Sequence, residues 1–193
     1  MKKTWIIVIA IVAALVLIIG LIAGALINGY NDMVEAQTEV EEKAAAIQTQ
    51  LQRRADLIPN FVATVKGYAM HEQETYTAVT EARSAVQNAG NIGEQQAADA
   101  QLNRAIDIWV NAVKEAYPEL KANANFTALQ DELAGTENRV AVARTDYNEV
   151  VKSYNASIRK FPRNILAGMF GFEKADFFEA AEGAEQAPEV SFE

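Results

Sequence analysis

The chain has 193 residues, half of them apolar, a formal charge of -9 and no cysteine. Without thiols there is no disulfide framework, no cysteine nucleophile and no sulfur-ligated metal, and an acidic balance with no visible basic face argues against nucleic acid as a partner. Residues 173–193 carry seven acids against Lys174, so what precedes them is close to neutral.

The first element reads WIIVIAIVAALVLIIGLIAGALI, from Trp5 to Ile27, with no charged, amide or hydroxyl side chain. As a helix it is about 34 Å long, enough for a hydrocarbon layer of about 30 Å. An isolated segment satisfies its own backbone in lipid only as a helix. Trp5, Ile6, Leu15, Leu17, Gly20, Gly24 and Ile27 are therefore the expected anchor residues. Gly20 and Gly24 form a small-xxx-small pair of the kind that brings two membrane helices together. Lys2 and Lys3 before the span, against Asp32, Glu35 and Glu39 after it, place the N-terminus inside and the body outside. The competing reading is a cleaved signal peptide ending at Ala23-Gly24-Ala25, but the apolar run exceeds the usual signal core.

Beyond the anchor the composition is helical. Met33, Val40, Ala44, Ile47 and Leu51 mark one helix face, with Gln37 a polar exception, and only Gly29 separates this helix from the span. Asp56 followed by Pro59 reads as an N-cap and first turn, which predicts a reversal near Arg54–Asp56 and a second helix to Asn88. A continuous helix kinked at Pro59 is the alternative. Gly90 and Gly93 are expected to close that second helix in left-handed conformations. A third runs from about Glu94 to Ala116 and stops before Pro118; a fourth, capped by Asn123 or Asn125, carries the stripe Phe126, Leu129, Leu133, Thr136, Val140, Ala143, Tyr147, Val150 and Tyr154. The expected fold is all-α: a transmembrane helix followed by an antiparallel up-and-down four-helix bundle. Its divisions are 1–29 for the basic start and anchor, 30–162 for the bundle, 163–178 for an apolar and aromatic segment, and 179–193 for an acidic disordered tail.

Three stretches are long enough to carry a resemblance: RRADLIPNFVATVKGYAMHE (53–72), YPELKANANFTALQDELAGTENRVAVAR (117–144), and the spaced Tyr147-Asn148, Tyr154-Asn155 and Phe161-Pro162. With them the chain resembles the LemA family from about Tyr30 to Phe172. The resemblance implies a membrane-tethered antiparallel helical bundle, widespread in bacteria and without an established enzymatic activity. It also implies, by gene neighbourhood, a place in a cell-envelope complex.

The candidate sites are structural. His71 is the only histidine, and the residue three before it is Tyr68, so the Glu-x-x-His pairs of a di-metal bundle are missing and no metal site is expected. Ser84, Ser153, Ser157 and Ser191 lack a base partner, and Gly90-x-x-Gly93 lacks the lysine and strand of a phosphate loop. No catalytic residue and no cofactor are therefore expected. Arg54, Asp56, Pro59, Asn138 and Arg139 are candidate structural polar positions, with a register-fixing role assigned to Asp56 and Asn138. Tyr147, Tyr154 and Phe161 recur every seven residues and read as core. Ile165, Leu166, Met169, Phe170 and Phe172 form a candidate interfacial segment, either a lid on the bundle or a contact with lipid. The expected function is a non-enzymatic interaction or scaffold module at the bacterial inner membrane. Its partners are the membrane, an unidentified envelope protein and a second copy of itself; the alternative is membrane remodelling or lipid sensing through 164–178.

Overall fold

A computed structural model describes residues 2–66 and 73–179. Among these residues the chain is all-helical, without strand: α1 (Lys2–Lys66), α2 (Gln73–Asn88), α3 (Ile92–Ala116), a 3-10 turn at Pro118–Ala122, α4 (Ala124–Ser157) and α5 (Arg163–Phe170). The apolar stretch of α1 reaches a mean hydropathy of 3.5 over 18 residues with none of it buried, so it is long and apolar enough to cross a membrane.

The expected reversal at Arg54–Asp56 does not occur, because α1 continues through it to Lys66 with Pro59 inside. Asp56 is thus not a cap; it is exposed and accepts a bond from Gln52 one turn back. Proline has no amide hydrogen to give the carbonyl four residues earlier, and a helix interior ordinarily resists it by ~3 kcal/mol. Here that carbonyl belongs to Ala55, which is fully buried. Arg83 of α2 supplies the missing donor, its Nε lying 3.0 Å from the Ala55 oxygen. The proline therefore leaves no orphaned acceptor, and the helix survives it. His71 and Tyr68 lie outside the described residues, as does nearly all of the acidic tail.

Between α2 and α3 the chain turns without a left-handed glycine, since among the described residues the only positive φ is 76° at Gly171. Asn91 caps α3 instead: its side chain accepts the Glu94 amide at 2.9 Å, and the Glu94 carboxylate returns to the Gly90 amide at 2.7 Å. At the start of α4 the cap is Asn123, whose Oδ1 accepts from the amides of Asn125 and Phe126.

The chain falls into two compact units, Met1–Glu41 with Val150–Ala175, and Glu42–Glu149 with Asp176–Glu193. The second is built on a core drawn from four helices. Phe61 of α1 meets Trp109 of α3 edge-on at 5.0 Å and stacks with Phe126 of α4 at 5.2 Å. Arg54, two turns earlier in α1, faces Asp99 and Asn103 of α3 and Glu137 of α4. Numbers rise together along α1 and α3 and run oppositely along α1 and α4, the sense an up-and-down arrangement requires. In α4 the buried stripe is Phe126, Leu133, Thr136, Val140 and Tyr147. The first unit buries Met33 and Val40 of α1, Val151 and Tyr154 of α4, and Leu166 and Ala167 of α5.

Candidate functional site

In the second unit the least ordinary feature is a charged layer inside an apolar core. Arg54 and Asp99 are 3% and 1% exposed. Asp99 takes two cations at once, Arg54 at 3.4 Å and Arg144 from α4, while Arg54 also donates to Asn103 and lies 3.5 Å from the mostly exposed Glu137. Burial pushes the Arg54 guanidinium below its ordinary pKa, opposed by Glu137 and Asp107. Arg144 is lowered by burial first and by Arg54 second. Two cations on one buried carboxylate form a layer that tolerates no shift of the helices, because a slip by one turn strands a charge.

Beside this layer an open cleft of about 540 Å³ is lined by α3, Arg144 and residues Asp176–Glu179. The latter segment has no helix or strand structure of its own. It is held by α4. Tyr147 donates its hydroxyl to the Asp176 carbonyl at 2.8 Å, and Asn148 pairs both ways with Phe178, donating to its carbonyl and accepting from its amide at 2.9 Å each. The guanidinium of Arg144 lies 4.5 Å from the centre of the Phe178 ring, and Gln96 of α3 accepts the Glu179 amide at 2.9 Å. Burial, then the nearby Asp176, raises the Tyr147 pKa. A second cleft, about 420 Å³, is lined by Ala46 and Gln50 of α1 and by Asn138, Arg139, Val142, Ala143 and Asp146 of α4.

The first unit repeats the tyrosine–asparagine device. Tyr154 donates to the Glu173 carbonyl at 2.8 Å, and Asn155 pairs with both the carbonyl and the amide of Ala175. Burial raises the Tyr154 pKa, helped by Glu173 and Glu41. In the same unit α5 docks just past the apolar span. Gly29 is buried, and a side chain on it would press within 3.3 Å of Leu166. Arg163 pairs with Asp32, and Tyr30 meets Phe170 at 4.8 Å and Phe172 at 5.7 Å. Ile165, Met169 and Phe170 remain exposed, Met169 by 72%.

Of the sequence-derived polar positions, Arg54 is in the buried layer and Pro59 is the bridged helix break. Asp56, Asn138 and Arg139 are exposed, Arg139 pairing with Glu132 along its own helix at 2.6 Å. The burial that a register role requires falls to Asp99 and Arg54. Tyr147 and Tyr154 are buried as read, but Phe161 is 82% exposed and so not core. Sequence reasoning missed Asp99, Asn103 and Gln96. The signal was an acid beside Ala98 on the stripe leading to Leu102 and Ile106. Among the described residues no group of three or more histidine or acid side chains is placed to hold a metal.

A family model described as the LemA family matches residues 43–192. The chain belongs to the LemA family. The match takes in the charged layer and Tyr147, Asn148 and Phe178, and leaves the apolar span outside. Protein LemA of Metamycoplasma hominis is 25% identical over 170 residues, covering 86% of this chain and 76% of that protein. Magnetosome protein MamQ 2 of Paramagnetospirillum magneticum is 26% identical over 179 residues, covering 80% of this chain and 66% of its own length. Magnetosome protein MamQ of Magnetospirillum gryphiswaldense is 23% identical over 178 residues, 79% of this chain and 65% of its length. This LemA-family chain thus spans a little under two thirds of the magnetosome relatives it matches. The apolar helix supports a membrane location.

Proposed function

We propose that this LemA-family chain is a single-pass membrane protein whose helical body is a non-enzymatic interaction module in the bacterial envelope. One observation carries the reading. The clefts of the second unit, about 540 and 420 Å³, are lined by side chains that recognise rather than react. Of the acids in the larger one, the buried Asp99 is committed to two arginines, and the cation Arg144 to Asp99 and Phe178. The same α1 that provides the apolar span also provides core residues Ile47 to Val65, so the module is presented at a membrane surface. By the lysine asymmetry that surface is the outer face of the inner membrane. The test is a photo-crosslinking side chain at Val142, which is 61% exposed in the smaller cleft. In native membranes it should capture one discrete neighbour, lost in an Asn138→Lys, Asp146→Lys background. A diffuse ladder unchanged by those substitutions refutes the reading.

A second reading, contact with lipid, is favoured by α5. Ile165 and Met169 lie one turn apart on its exposed side, and α5 packs at Gly29–Asp32, immediately after the span. An environment-sensitive probe at Met169→Cys in nanodiscs should be quenched by brominated lipid, and one at Lys152→Cys should not. Equal quenching at both positions removes this reading.

A further inference from the structure

The backbone hydrogen bonds of Asp176–Glu179 are unusual in their source. Every hydrogen bond that Tyr147, Asn148 and Gln96 make to this segment goes to a main-chain atom: the Asp176 carbonyl, the Phe178 carbonyl and amide, and the Glu179 amide. That is what the edge of a sheet offers an added strand, here performed by helix side chains. Such a clamp reads extension and chain direction, not side-chain identity. Selectivity enters at one place. Phe178 is 5% exposed and lies under Arg144, while Asp176 and Glu179 flank it in sequence and line the same cleft as Arg104. The occupant is thus an acid-flanked aromatic segment.

We propose that the Tyr147–Asn148 clamp of the second unit accepts Asp176–Glu179 of a second copy of this protein in exchange for its own. The incoming segment is identical, so each bond lost in the free chain is restored in the pair, the ordinary route to a swapped dimer. The segment has no secondary structure to break on leaving. A membrane span concentrates the copies in one plane. The inference rests on the interaction-module reading and names one partner for it.

The chain has no cysteine, which makes the test direct. Full-length Gln96→Cys and Glu179→Cys proteins, differently tagged, are co-expressed and oxidised in native membranes. Exchange gives a disulfide-linked heterodimer. A copy carrying Ile108→Cys in place of Gln96→Cys, on an exposed face of α3 away from the clamp, should lose the heterodimer with the Glu179→Cys copy. The Gln96→Cys/Glu179→Cys double variant should close the link within one chain when expressed alone at low level, which shows that the clamp is folded and occupied. A double variant that closes in cis with no heterodimer from the single variants overturns exchange, and leaves the Val142 crosslink to judge the broader reading. A heterodimer formed equally well from the Ile108→Cys and Glu179→Cys copies also overturns it, as random collision. A double variant that never closes overturns the clamp itself.

Discussion

Replacing Asp99 with asparagine is the sharpest probe of the charged layer. The substitution keeps shape and removes the one carboxylate that both Arg54 and Arg144 face. The remaining acid in contact with Arg54 is Glu137, 3.5 Å away and 58% exposed, so water screens much of its pull. Burial already lowers both guanidinium pKa values, and Arg144 is further lowered by Arg54; without Asp99 the two cations repel with no shared counter-ion between them. Removing one partner of a buried ion pair costs about 3–5 kcal/mol, a large share of a domain stability of about 5–15 kcal/mol. At about 1.4 kcal/mol per factor of ten, amide hydrogen exchange of α3 and α4 in the full chain in nanodiscs should accelerate by roughly 100- to 3000-fold. The companion variant Arg54→Met/Asp99→Leu/Arg144→Met removes every charge of the layer and should recover most of that protection, because well-packed apolar side chains replace buried ion pairs at little cost. Its recovery should stop short at Phe178, which loses the Arg144 cation. Exchange in the Asp99→Asn protein within about tenfold of the parent would show that the layer is not what holds the helices in register.

Three further outcomes follow from local geometry. Arg83→Ala should destabilise by about 1–3 kcal/mol, since the Ala55 carbonyl loses its donor in a buried place; in a Pro59→Ala background the restored amide should answer that carbonyl and shrink the loss. A double-mutant cycle by chemical denaturation measures this, and a coupling below about 0.5 kcal/mol counts against the bridged-proline account. Asn91→Ala should cost about 1 kcal/mol as a lost cap, whereas Asp56→Ala, at an exposed position inside α1, should change the unfolding midpoint by the equivalent of no more than about 0.5 kcal/mol. Tyr147 and Tyr154 have pKa values raised above the ordinary 10.0. The unfolded chain therefore releases these protons first, so their contribution is complete below pH 10 and is lost as pH climbs through the raised folded values. Denaturation midpoints should fall between pH 9 and pH 11, with a shallower fall in the Tyr147→Phe/Tyr154→Phe protein; equal slopes would refute the assignment.

Much of this was written in one dimension. Periodicity gave the helical class, the uncharged run Trp5–Ile27 gave an element fit for lipid, and Tyr117-Pro118 and Asn123 marked ends that the chain respects. These features are local: apolar spacing, a proline's missing donor and a side-chain cap act within a few residues of themselves. The heptad of tyrosines was legible too, but its meaning was not, because a phenol that binds a carbonyl 19 or 29 residues away looks like a core aromatic in sequence.

What only the tertiary structure decided was the fate of groups whose partners are distant. Pro59 reads as a helix start until Arg83, 28 residues beyond Ala55, is seen to satisfy the Ala55 carbonyl. Asp56 and Asp99 are equivalent as letters, yet one faces water and the other joins two arginines. The physical reason is that a buried charge or an orphaned carbonyl costs kilocalories wherever it lies, so its position is set by which donors the folded chain can bring to it, and adjacency in sequence does not report that.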